Sequence, residues 1–233
     1  MNDMPVAPIP ESRPESPVQV WQKALTRPSE QTFAEIASSP NAKARTAYLW
    51  VFVAYLIQIF LSALVSNRAM QTLASRYGYG DVFATRGIGS TLVTAICGAP
   101  IGAIIGTLLF ALGVFIIQWL ARTFGGRGTA DQLAYALAAI IAPYLILSGF
   151  VGLFSAIPFV GLCISAILAL AGLYILFLEI TAVKGVNQIT WGAAVGAVLI
   201  PLVVIGLIIA CVLGVSFAAL IAAFRNANPN FAP

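Results

Sequence analysis

The sequence predicts an all-α integral membrane protein, with about five transmembrane helices behind short N-terminal amphipathic helices. Two observations carry this fold class. Of the 233 residues, 60% are apolar and only 9% charged, with a mean hydropathy of +0.96, whereas a soluble domain carries about 25% charged residues. The apolar residues also gather into uninterrupted runs of about 20 residues or more, the length a helix needs to cross roughly 30 Å of hydrocarbon. A bilayer core offers no water to backbone N–H and C=O groups, so spanning chains are helices or closed barrels. The short alternating segments of barrel strands are absent.

Residues 1–45 form a polar N-terminal region, and Pro5, Pro8, Pro10 and Pro14 make its first 15 residues extended and disordered. Ser16-Pro17-Val18-Gln19 reads as an N-cap, a proline at the first helical position and a capping-box glutamine. Val18, Trp21 and Leu25 then share one helical face. A second short helix starts at Pro28 with Glu30 in its first turn, and Pro40 closes it. These helices lie on the membrane surface or against the spans, with Trp21 as an interfacial anchor.

The transmembrane domain covers residues 46–225, with spans at about 47–65, 91–120, 131–157, 159–182 and 191–224 and a tail at 226–233. The first apolar run begins near Thr46, which makes it an uncleaved first span rather than a signal peptide. Asn67 to Ser90, with Arg68, Arg76, Asp81, Arg86 and several glycines, reads as an extramembrane loop. The second span contains Pro100 and is tilted or kinked. Thr129-Ala130-Asp131-Gln132 caps the third, which carries Pro143, and the turn at Ile157-Pro158 joins it to the fourth as an antiparallel hairpin. After the polar stretch Val183–Thr190, the last apolar region is longer than one crossing, so Pro201 marks a kink or separates a short interfacial piece from the span.

With the N-terminus inside, Arg13, Lys23, Arg27, Lys43, Arg45, Arg122, Arg127 and Lys184 fall on the cytoplasmic side, and Arg68, Arg76, Arg86 and Arg225 outside. That asymmetry favours a cytoplasmic N-terminus. The basic residues are scattered despite a net charge of +4, so no nucleic-acid surface is expected. Cys97, Cys163 and Cys211 sit within apolar runs as small hydrophobes.

Histidine is absent, which removes the commonest general base and haem ligand. Asp131 and Glu179, the carboxylates in or beside the spans, have no obvious acidic partner, so no catalytic, metal or cofactor site is expected. Glu179 reads either as a proton or cation site or as a helix-end residue that reaches interfacial water or pairs with Lys184. Gln58 and Asn187 pose the same question more weakly, or hydrogen-bond between helices. Gly98, Gly102 and Gly106 repeat every fourth position, as do Gly192 and Gly196. Such stripes admit a close neighbouring helix, within the chain or in another chain. On that reading the neighbouring Ala103 faces lipid. Pro143 and Pro201 are tolerated kinks or broken helices of the transporter kind.

Three segments resemble the Yip1 family: Trp21-Gln22-Lys23-Ala24-Leu25-Thr26-Arg27-Pro28 with Thr32-Phe33; Gly125-Gly126-Arg127-Gly128-Thr129 leading to Ala142-Pro143-Tyr144; and the close pair of spans after Pro158 that ends in a Tyr174-containing helix. The resemblance implies a prokaryotic-type five-span protein with a cytoplasmic N-terminus, in the cell (inner) membrane. Eukaryotic relatives act in vesicle trafficking with small GTPases. This sequence lacks their Asp-Leu-Trp-Gly-Pro type motif, so a GTPase partner does not carry over. The functional expectation is a non-enzymatic protein that organises or binds membrane components, as an oligomer or accessory subunit; the rival is a permease or channel for a small solute or ion. Partners beyond the lipid bilayer are a second copy or other membrane proteins.

Overall fold

In the computed structural model, residues 16–76, 88–157 and 159–227 are described. Among them are seven α-helices: α1 (Pro17–Thr26), α2 (Glu30–Ser38), α3 (Ala44–Arg76), α4 (Ile88–Thr123), α5 (Ala130–Gly152), α6 (Val160–Asn187) and α7 (Trp191–Ala227). Five of them, α3 to α7, are long and apolar enough to cross a membrane. The chain is an all-α, multi-pass integral membrane protein.

Helix α5 is the axis of the bundle. Of its most apolar window 56% is buried, against 17% or less in the other four. Composition explains the position: Ala134, Ala136, Ala138, Ala139 and Ala142 are all completely buried, and such short side chains let neighbouring backbones approach from several directions. Helices α3 and α6 flank α5 most extensively, α4 packs on α3, and α7 closes against α4 and α6. Large apolar side chains such as Leu108, Phe115, Leu170 and Leu207 point outward, as they should where lipid replaces water.

The two short helices pack against this bundle, α1 on α5 and α2 on α6 and α5. The Ser16 hydroxyl accepts the Gln19 N–H and the Gln19 side chain accepts the Ser16 N–H, so the capping box fixes where α1 begins. Helix α2 begins two residues later than Pro28, because Ser29 caps it by accepting the Thr32 N–H at 3.1 Å. A Lys23–Glu35 ion pair at 2.9 Å ties α1 to α2.

Several sequence-derived boundaries move. The described parts of the expected Asn67–Ser90 loop, residues 67–76 and 88–90, are helical, since α3 runs to Arg76 and α4 starts at Ile88. Asn67 to Arg76 contains no glycine or proline, so nothing stops the helix as it leaves the hydrocarbon. Asp81 and Arg86, like residues 1–15 and 228–233, lie outside the described residues. Helix α6 continues through the polar stretch to Asn187 and ends at Gln188, which adopts a left-handed conformation (φ 55°). The last apolar region is one continuous helix of 37 residues with Pro201 inside it, and Pro100 and Pro143 likewise sit within unbroken helices.

Candidate functional site

Two constellations of polar side chains lie at the end that carries α1 and α2. Asn187, completely buried at the C-terminus of α6, is the centre of one knot. Gln118 of α4 donates through Nε2 to Asn187 Oδ1 at 2.9 Å and to the Gly128 carbonyl at 2.7 Å. Asn187 Nδ2 donates to the Val183 carbonyl, and the Arg127 N–H donates to the Asn187 carbonyl at 3.2 Å. The glycines of the α4–α5 loop are needed there. A Cβ on Gly126 would lie 2.9 Å from Asn187 Oδ1 and 2.7 Å from the Ala121 carbonyl oxygen, and one on Gly128 would meet the Val186 carbonyl oxygen at 2.8 Å. Gly125 adopts φ +87°, which L side chains avoid.

The second constellation clamps the short helices to α6. Glu30 at the start of α2 pairs with Lys184, whose ammonium also stands 4.8 Å above the Trp191 ring. Tyr174 donates its hydroxyl proton to the Leu25 carbonyl at 2.7 Å. Helix α2 approaches α6 so closely that a Cβ on Gly185 would lie 2.5 Å from the Glu30 carbonyl oxygen. Trp21, read as an interfacial anchor, turns inward instead. Its ring meets Trp50 edge-on at 5.6 Å, Trp50 leans on Tyr135 at 4.9 Å, and Trp21 Nε1 is buried without a hydrogen bond.

The remaining sequence candidates are dispersed. Gln58 donates to the Ser148 hydroxyl at 3.3 Å, a bond between α3 and α5. Glu179 is half-buried on α6 one turn from buried Ile175 and Val183, and no hydrogen bond or ion pair engages it. It makes no ion pair with Lys184, which bonds Glu30. Of the α4 stripe, Gly102 and Gly106 face α3: a Cβ would come 2.8 Å from Ile59 Cδ1 and 2.9 Å from the Tyr55 ring, respectively. Gly98 and Gly192 have nothing within 4 Å of that position, and Gly196 meets the Phe124 ring at 3.6 Å and Ile200 Cδ1 at 3.8 Å. Ala103 is completely buried rather than lipid-facing, on a line with Ala95 and Ala99. The contact face of α4 is thus centred one position round from the glycines. Among the described residues no group of three or more His, Cys, Asp or Glu side chains is arranged to hold a metal.

The profile of the Yip1 domain matches residues 23–224. The chain belongs to the Yip1 family. No curated protein and no solved structure gives a match. The segments of Yip1 resemblance converge in space: the Trp21–Pro28 segment is α1 and its exit turn, Tyr174 bonds that helix at Leu25, and Gly125–Thr129 is the loop pinned over Asn187. Of the residues that build this Yip1 domain, sequence reasoning missed Gln118 and Trp50. The signal for Gln118 was present, an amide inside an otherwise apolar run.

Proposed function

We propose that this Yip1 protein is a non-enzymatic organiser of other membrane components, acting through its outer surfaces and its docked N-terminal helices. The observation that carries this reading is the filled interior: every α5 residue from Leu133 to Ile140 is buried, all of them aliphatic except Tyr135. Polar groups are spent on holding helices together, as in Gln58–Ser148 and Gln118–Asn187. Among the described residues, nothing lies within 4 Å of a Cβ on Gly98 or Gly192, which leaves room for a helix of another chain, a second copy or a different membrane protein. A cytoplasmic N-terminus in a prokaryotic cell membrane fits the charge distribution, since Lys23, Arg27, Lys43, Arg45, Arg122, Arg127 and Lys184 all belong to the end with α1 and α2. No small-GTPase partner is proposed.

The second reading, a permease or channel, is favoured by Glu179 alone, an unpaired acid inside a span. Two measurements separate the readings. Crosslinking in the native membrane is expected to capture a reproducible set of neighbours. Proteoliposomes are expected to show no solute- or proton-dependent flux above empty vesicles. A flux abolished by Glu179→Ala overturns the organiser.

A further inference from the structure

A cleft of about 340 Å³ opens at the end of the bundle that carries α1 and α2, between the α1–α2 turn, α6 and the start of α7. One wall is charged and the other aromatic. Glu30 and Ser29 form the first; Phe177 and Trp191 form the second, stacked with ring centres 6.3 Å apart and planes 17° from parallel. Lys184 borders the cleft without lining it: its side chain is 14% exposed, bonded to Glu30 Oε1 of one wall and poised over Trp191 of the other.

We infer that this cleft binds the headgroup of a zwitterionic phospholipid, one whose phosphate is linked to an amine. Each part of such a molecule has a complement. An ammonium keeps two further N–H donors after bonding Glu30, so Lys184 can receive the phosphate. The Glu30 carboxylate is 45% exposed and uses only Oε1 on Lys184, which leaves Oε2 for the amine. The two ion pairs then alternate in sign, whereas an anionic headgroup without an amine would set its charge beside Glu30 uncompensated. Trp191 is 44% exposed and its indole N–H makes no hydrogen bond, the situation of a tryptophan in the interfacial belt that donates to an ester carbonyl. Below the cleft, Phe177, Tyr174, Leu173 and Leu170 are all exposed on neighbouring turns of α6. That strip continues from the aromatic wall towards the bilayer centre and gives the acyl chains an apolar bed. Depth agrees with the chemistry: Lys184 lies one turn from the end of a spanning helix, where headgroups begin.

The test uses the full chain, stripped of lipid in detergent and titrated with phosphatidylethanolamine, phosphatidylglycerol or diacylglycerol of matched chains, with bound lipid counted by native mass spectrometry. Phosphatidylethanolamine is expected to bind roughly tenfold more tightly than the other two, the size of one charge-assisted contact. Glu30→Gln keeps an acceptor for Lys184 and should erase the preference over phosphatidylglycerol. Trp191→Leu leaves α2 untouched and should weaken both phospholipids several-fold. Equal binding of all three lipids, an unchanged preference in Glu30→Gln, or displacement of the lipid by free phosphoethanolamine at equal concentration would each overturn the inference. The organiser reading is judged separately, because protein neighbours captured by crosslinking do not depend on which lipid fills the cleft.

Discussion

Asn187 shows how a single amide can hold three helices. Its side chain accepts from Gln118 of α4 and donates to its own helix, while its carbonyl receives the Arg127 N–H from the loop that leads into α5. Buried polar atoms without partners are costly, so removing one member leaves an N–H of Gln118 or the Oδ1 of Asn187 unpaired. Asn187→Ala is therefore expected to lower stability in detergent by about 1–3 kcal/mol. Gln118→Leu should cost a similar amount, and the double variant should cost less than the sum, because the second substitution breaks a bond already lost. Thermal unfolding of the four proteins in one detergent measures the coupling, and strictly additive losses would show that the two amides do not act together. The sequence made Asn187 a candidate but not its partner, since an interhelical bond between positions 69 apart leaves no periodic trace along the chain.

At the scale of elements, glycine has two different uses, and a built Cβ separates them. At Gly102 the obstacle is Ile59 Cδ1 at 2.8 Å, the free end of a side chain that can change rotamer. At Gly185 it is the Glu30 carbonyl oxygen at 2.5 Å, backbone at the start of α2 that cannot yield without undocking the helix. Gly185→Ala is thus expected to destabilise by about 1–3 kcal/mol and to raise amide hydrogen exchange across residues 30–38. Gly102→Ala should stay within about 1 kcal/mol of wild type, since alanine's better helix propensity offsets the rotamer change. Equal effects would mean that α2 does not dock through Gly185. The starts of α1 and α5 were legible because Ser16, Gln19, Thr129 and Gln132 are local signals that act over three residues. The contact face of α4 was less so, since in an apolar helix alanine and glycine both permit close approach, and only the neighbouring helix decides between Ala103 and the glycine line. Proline was equally ambiguous at Pro201, where the surrounding helix simply continues.

For the whole molecule, topology follows from contacts that join distant parts of the chain at one end. The Glu30–Lys184 pair and the Arg127–Asn187 backbone bond put α2, the α4–α5 loop and the C-terminus of α6 on the same side. An odd number of crossings then puts α1 and the end of α7 on opposite sides. The native Cys97, Cys163 and Cys211 lie on the outside of spanning helices, so each is first replaced by serine or alanine. In that background, single cysteines at Ser16, Thr123 and Gln188 should behave alike towards an impermeant thiol reagent, because the structure gathers all three at the end that carries α1 and α2. With seven lysines and arginines on that side among the described residues, it should be the cytoplasmic one. The three sites are therefore expected to stay unlabelled in intact cells and to react after permeabilisation. A cysteine at Thr72, near the opposite end of α3, should label in both. Reversal of all four would invert the orientation and keep the fold. Divergence among Ser16, Thr123 and Gln188 would break the five-span bundle itself, since no arrangement that keeps the Glu30–Lys184 and Arg127–Asn187 contacts can place those sites on different sides.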